Sequence, residues 1–310
     1  MTRTISKLRT HVLLFLATTF SVFFAGAGYS GTLDVNAGVI AFLRSLGGGW
    51  RFAIPLLAIL LCHEFGHYIA ARIHRVPASL PYFIPAPMLS PFGTMGAVIA
   101  MPDRIRSRNA LLDIGAAGPL CGIAVAIPVL LFGLATSRVE VLDGPYLQEG
   151  QSLLYLAMKR VVLGPIPAGS DVSLNATAFA GWVGLFVTAI NLIPVSQLDG
   201  GHIAYALFGE AQDTYAIWLH RGLFVAFLFN VGKFVVPAVM HGTSVGTAIG
   251  NSIFYLFWFG LLALIRWRSG QNHPPTDAGE LSSTRRLVAG GCLVLFVLLF
   301  MPTPWAELGG

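Results

Sequence analysis

Residues 52–71 read Phe52-Ala-Ile-Pro-Leu-Leu-Ala-Ile-Leu-Leu-Cys62-His63-Glu64-Phe65-Gly66-His67-Tyr-Ile-Ala-Ala71, a His-Glu-x-x-His motif inside an apolar run. As an α-helix the stretch from Phe52 to about Ile73 is long enough to cross a bilayer. Positions i and i+4 lie about 40° apart around a helix, so His63 and His67 share a face. Two imidazoles stacked in that way can grip one zinc ion, and Glu64 can reach a water bound to it. The competing reading is a pair of buried histidines that satisfy local hydrogen bonds. It leaves three ionisable groups in hydrocarbon, each costing on the order of 2–3 kcal/mol, with no partner named. A metal gives them one.

Composition agrees with a membrane setting. The 310 residues are 55% hydrophobic and 11% charged, with a mean hydropathy of +0.73, whereas soluble domains carry about 25% charged residues. We expect an all-α polytopic membrane protein. The net charge of +5 and pI near 9.3 do not point to nucleic acid, because the basic residues flank apolar spans instead of forming an aromatic-interleaved surface. Cys62, Cys121 and Cys292 all lie in apolar stretches, and their odd number argues against a disulfide framework.

About seven transmembrane helices are expected. The first runs from Val12 to about Ala27 behind Arg3, Lys7 and Arg9; its Ala25-Gly26-Ala27 also fits a signal-peptide cleavage site, and a retained helix is the preferred reading. The second carries the metal motif. Residues 76–102 are apolar but hold six prolines, which forbid a straight spanning helix. A re-entrant extended or β-hairpin-like segment near residues 80–101 is expected, because non-helical backbone survives at membrane depth only when covered or lining a cavity. A loop lying at the interface is the alternative. After a basic stop, Asp103–Arg108, a third span covers about 110–135; its Gly118-x-x-x-Gly122 suits close helix packing. The polar connection 137–175 holds a short helix near 152–163. The fourth span, about 177–194, is broken by Pro194, and Asp199-Gly200-Gly201 follows on an irregular or restarted helix end, where Asp199 can point sideways at a metal. An Asp followed by glycines is otherwise most often a turn. Further spans lie within 215–239, 248–265 and 287–301.

With the N-terminus cytoplasmic, twelve Lys/Arg residues fall inside (Arg3, Lys7, Arg9, Arg72, Arg75, Arg104, Arg106, Arg108, Arg266, Arg268, Arg285, Arg286) against six outside (Arg44, Arg51, Arg138, Lys159, Arg160, Lys233), as positive charge requires. This layout runs the second and fourth spans in the same direction, so His63, His67 and Asp199 can meet around one ion. A bacterial cytoplasmic (inner) membrane is the expected location, with a plastid membrane as the alternative.

His63-Glu-Phe-Gly-His67, together with Asn191-Leu-Ile-Pro194-Val-Ser-Gln-Leu198-Asp199-Gly200-Gly201, resembles the paired motifs of the site-2 protease family of intramembrane zinc metalloproteases. Phe92-Gly93-Thr94-Met95-Gly96-Ala97 and Gly118-Pro119-Leu120 also resemble family segments, particularly of the branch without a PDZ domain. The resemblance covers about residues 50–205. It implies one Zn2+ per chain on His63, His67 and Asp199, Glu64 as general base, and Asn191 as a substrate contact. Gly93, Thr94 and Gly96 would offer a strand edge to an unwound substrate. The implied partners are a transmembrane protein substrate and the lipid bilayer. On this reading residues 1–50 are an N-terminal helix and external loop, 51–208 the metalloprotease core, and 209–310 C-terminal spans. A catalytically silent scaffold and a transporter are the competing functions; the intact Glu64 argues against the first, and the lack of repeat symmetry against the second.

Overall fold

A computed structural model describes residues 2–36, 38–101, 105–141, 144–269, 274–277 and 279–308, with backbone alone at 2–7 and 269. Pro102, Asp103 and Arg104 of the expected proline-rich segment and basic stop, part of the 269–286 loop, and the side chains of Arg3 and Lys7 lie outside the described residues. The described chain is mostly helical. In order it forms α1 (Thr2–Tyr29), α2 (Val39–Gly47), α3 (Trp50–Ile73), β1 (Tyr82–Pro85), β2 (Thr94–Val98), α4 (Arg108–Ala135), β3 (Arg138–Val141), β4 (Tyr146–Glu149), α5 (Leu153–Leu163), β5 (Ser170–Ser173) and α6 (Ala176–Asn191). Then come α7 (Asp199–Phe208), α8 (Ala211–Asn230), a π-helical turn (Val231–Val235), α9 (Val236–His241), α10 (Val245–Ser252), α11 (Phe254–Ser269), α12 (Ser283–Leu299) and β6 (Trp305–Leu308).

Among the described residues, four helical stretches are long and apolar enough to cross a membrane: Leu8–Tyr29, Trp50–Ile73, Arg108–Ala135 and Ala211–His241. A fifth is obtained if α10 and α11, bent by 43°, count as one span. The expected count of about seven is therefore not reached on length and composition. The physical reason lies in α6 and α12, which have 16 and 17 residues. At 1.5 Å per residue they reach about 24–26 Å, short of the roughly 30 Å hydrocarbon core.

The chain divides into two compact units. The first contains residues 1–103, 117–139 and 172–188. Here α3 turns Phe52, Leu56, Ile59, Leu60, His63 and His67 inward at helical spacing. Phe179, Trp182 and Phe186 of α6 form a stacked ladder, with centroids 5.6 and 5.5 Å apart, and Phe52 stacks on Phe179. Glycines let the backbones close: a Cβ at Gly181 would meet the Leu130 backbone at 2.7 Å, and one at Gly184 would meet Ala126 and Ile59 within 3 Å.

The proline-dense stretch of this unit contains no helix among its described residues. Instead β1 and β2 pair antiparallel, Tyr82 opposite Val98 and Phe83 opposite Ala97, with an irregularity before Pro85. Helix α1 braces the pair through three hydrogen bonds. His11 Nδ1–H donates to the Pro81 carbonyl (3.1 Å), Ser21 Oγ to Gly93 (2.6 Å) and Tyr29 Oη to Pro91 (2.8 Å).

The second unit holds residues 104–116, 140–171 and 189–310. Its core gathers Ile193, Val195, Ala216, Leu223, Tyr255 and Leu262. Helix α5 occupies the place expected for a short helix and is capped by Ser152, whose side chain accepts from Tyr155 N. The strand content of this region was not anticipated. β4 pairs antiparallel with β6, Tyr146 opposite Leu308 through Glu149 opposite Trp305. Asn251 holds the far side of β6, its amide nitrogen donating to the Glu307 carbonyl and its oxygen accepting from Glu307 N, both at 2.9 Å. Beside β4, Lys159 is enclosed with Asp171 (2.5 Å) and Glu149 (3.6 Å), and Tyr155 Oη donates to Glu149 at 2.6 Å. Burial raises the Glu149 carboxyl above its ordinary pKa, against the opposing pull of Tyr155 and Lys159.

Candidate metal centre

Helix α3 delivers the His-Glu-x-x-His motif as a buried set: His63, Glu64 and His67 are 4, 7 and 7% exposed. The two rings stand edge to face, 4.9 Å between centroids at 72°, and their Nε2 atoms are 3.2 Å apart. Two nitrogens bound to one tetrahedral zinc at 2.0–2.1 Å would be about 3.3 Å apart. The helical repeat puts the imidazoles on one face, and their side-chain conformations set them at the spacing such an ion requires. The donor set fits the metal.

Within the same unit, α4 forms the floor of this pair. A Cβ at Gly66 would stand 2.6 Å from the Ala117 carbonyl, so α3 and α4 touch backbone to backbone there. A Cβ at Gly118 would enter the His67 ring, 2.5 Å from Cδ2 and nearer still to Nε2. At Gly122 it would meet His63 Cβ and Nδ1 at 3.2 Å. The Gly118-x-x-x-Gly122 spacing does allow helices to pack closely, and it also seats the two histidines. The equal spacing of the two glycines and the two histidines is visible in the sequence, but that they face one another is seen only in the fold.

In the second unit Asp199 is half-buried and is the first residue of α7, where an acidic side chain complements the helix dipole. The turn before it is tight. Ser196 takes φ +56°, Val195 N bonds the Ile193 carbonyl at 2.7 Å, and Cβ atoms at Gly200 and Gly201 would strike the carbonyls of Leu192 and Ser196. The two glycines after Asp199 are thus demanded by the backbone folding back on α7. The Pro194 carbonyl accepts from Gln212 Nε2 at 3.3 Å, and Gln212 is 1% exposed. Gln212, which the sequence did not single out, satisfies backbone freed by the proline break. Gly115 of α4 closes on the same turn, its Cβ position 3.3 Å from the Asp199 carbonyl and 3.1 Å from His202 Cβ.

The remaining candidates divide between the units. Asn191 closes α6 in the second. In the first, Gly93 (φ +76°) lies against the Ser21 backbone, and Thr94 is buried with its hydroxyl donating to the Ile84 carbonyl (2.9 Å) and accepting from Gly96 N (3.1 Å). Gly96 (φ +89°) faces open space. Of the three hairpin candidates, Gly96 alone has a free side.

Residues 51–229 match the family model for peptidase family M50, which is more than half of the chain. The chain belongs to peptidase family M50. This is the site-2 protease family that the paired motifs resemble. Among curated relatives, it is 31% identical over 266 residues to "Probable zinc metalloprotease EGY1, chloroplastic" of Arabidopsis thaliana, covering 83% of this chain and 44% of that protein. It is 33% identical over 194 residues to "Probable zinc metalloprotease EGY2, chloroplastic" of Oryza sativa subsp. indica, covering 61% of this chain and 35% of the relative. The chain thus spans less than half the length of these curated relatives. No solved structure gives a significant match.

Proposed function

We propose that this M50 chain is an intramembrane zinc metalloendopeptidase that hydrolyses peptide bonds of membrane-anchored proteins. The observation that carries the reading is the buried Nε2 pair of His63 and His67, 3.2 Å apart on a helix long enough to span a bilayer. Asp199 is the third ligand in this proposal. Support comes from α4: Gly115, Gly118 and Gly122 fall on one helical face at spacings of three and four, and they seat the Asp199 turn, His67 and His63 respectively. The relatives' names, zinc metalloproteases, support the choice of ion. Bound at three protein ligands, zinc supplies Lewis acidity and lowers the pKa of a coordinated water from 15.7 to about 7.

Glu64 takes the proton of the attacking water and passes it to the leaving amide nitrogen. Its burial beside the histidines keeps bulk water from competing for that role. Asn191 hydrogen-bonds substrate backbone near the scissile bond. The β1–β2 pair lies at membrane depth and presents the Gly96 side of β2 as an edge for substrate unwound from its own helical ladder. Helices α6 and α12, too short to span alone at full thickness, join the longer helices to give seven embedded segments. The charge asymmetry supports an N-terminus on the cytoplasmic side, or on the equivalent side of a plastid membrane, since the relatives are named chloroplastic.

The test compares wild-type chain with Glu64→Gln in lipid, reading zinc per chain and cleavage of a transmembrane peptide. We expect both proteins to hold one zinc and the variant to lose 10²–10⁴-fold in turnover. Equal cleavage by the two would refute the role of Glu64; wild-type protein that holds no zinc would refute the metal centre.

A further inference from the structure

Arg108 opens α4 and sends its guanidinium to the far end of α7. Its Nε donates to the Ala206 carbonyl at 2.5 Å, Nη2 to Leu207 at 3.0 Å and Nη1 to Gly279 at 3.3 Å. The first two are acceptors that the last turn of a helix leaves without intrahelical partners. Gly209 N returns to Tyr205, so the next two carbonyls fall to Arg108. A cation also opposes the negative end of the α7 dipole there.

Helix α7 needs such help. It has ten residues and no side-chain cap at Leu198, and a helix of that length is marginal on its own. Its two attachments to α4 have matching spacing. Asp199 and Ala206 are seven residues apart, as are Gly115 and Arg108, which hold them. Between the two points Asp113 of α4 takes a bidentate pair from Arg285 of α12, Nη2 to Oδ2 at 2.7 Å and Nε to Oδ1 at 2.9 Å, anchoring this part of α4 in turn. A slip of one residue along α7 moves Asp199 by 1.5 Å, many times the ±0.2 Å that a metal–ligand distance tolerates.

We propose that Arg108 is a positioning residue for Asp199: by clamping the C-terminal carbonyls of α7 it fixes where along α4 the carboxylate stands, and so sets the affinity for zinc. The inference rests on the proposed metal centre, but the clamp can be read separately. Full-length Arg108→Gln, Arg268→Gln as an exposed-arginine control, and wild type are compared in lipid by two measurements. One is the zinc Kd by chelator competition, and the other is amide exchange of residues 199–208 in metal-free protein. The Arg108→Gln variant should bind zinc 10–100-fold more weakly and exchange faster throughout α7, while the control matches wild type. Unchanged Kd and unchanged exchange would overturn the inference. Wild-type protein that binds no zinc would sink the metal reading, and α7 exchange would still decide the clamp. If Arg108→Gln does not fold, Arg108→Lys, which keeps the charge but loses the donor fork, decides on the same criteria.

Discussion

Replacing Gly118 by alanine tests the seat under His67 directly. The added methyl would stand 2.5 Å from His67 Cδ2, and ordinary contact begins at 3.4 Å. The ring must therefore retreat by upwards of about 0.9 Å, since Nε2 lies nearer still, or the helices part by as much, against a metal–ligand tolerance of ±0.2 Å. Overpacking of this kind costs typically 1–3 kcal/mol in stability as well. The same change at Gly122 puts a methyl 3.2 Å from His63 Cβ and Nδ1, a shortfall of about 0.2 Å that a slight shift of α3 against α4 absorbs. We expect Gly118→Ala to lose its zinc and its peptidase activity, and Gly122→Ala to keep most of both. The measurement is zinc per chain by elemental analysis after a chelator wash, paired with cleavage of a transmembrane peptide in the same lipid. Gly118→Ala protein with full zinc and wild-type turnover would refute the seat, as would a Gly122→Ala protein that is the more damaged of the two.

Four further outcomes follow from the same structure. Asp199→Asn keeps the shape of the side chain but removes its charge, and should weaken zinc binding while leaving α3 and its histidines folded; zinc affinity matching wild type would exclude Asp199 as a ligand. Gly96→Val should slow cleavage of a membrane peptide without changing zinc content. Valine is strained by the positive φ at either position, but only at Gly93 does a Cβ also meet the Ser21 backbone, so Gly93→Val should lower the melting temperature further than Gly96→Val. Burial raises the Glu149 carboxyl, so the folded state holds that proton where the unfolded state has lost it. Its contribution to stability is full below the ordinary glutamate pKa and falls as pH rises through the raised value. The melting temperature of Glu149→Gln relative to wild type should therefore climb with pH above about 4.3, and a flat difference across that window would contradict the assignment.

The metal motif was legible because the i, i+4 spacing of His63 and His67 is a property of any helix, and only their identity had to be read. The break at Pro194 and the need for small residues after Asp199 were legible for a similar local reason: each acts on its own backbone. What was hidden depends on residues distant in sequence. Gly118 and Gly122 carry the signature of ordinary helix packing, and nothing in that signature says that imidazoles lie opposite. The positive charge of Arg108 marked a membrane edge, whereas its three acceptors, Ala206, Leu207 and Gly279, lie about 100 to 170 residues away. Strands β4 and β6 have four residues each, too few for a period-two pattern to stand out. The number of spans was less legible, because hydropathy registers apolar character without registering where a helix such as α6 ends, at Asn191.

The stretch that defines the family begins at residue 51, yet the β1–β2 pair inside it depends on α1, which lies before that point. A fragment cut to the family stretch would retain His63 and His67 while stripping the Pro81 and Pro91 carbonyls of their donors, His11 and Tyr29, and leaving the Gly93 carbonyl with Ala86 N but without Ser21. In hydrocarbon each bare carbonyl costs several kcal/mol. On the proposed reading, the smallest piece able to display a substrate edge is therefore larger than the smallest piece that keeps both histidines, and minimal versions of this M50 chain should be drawn to include residues 8–29.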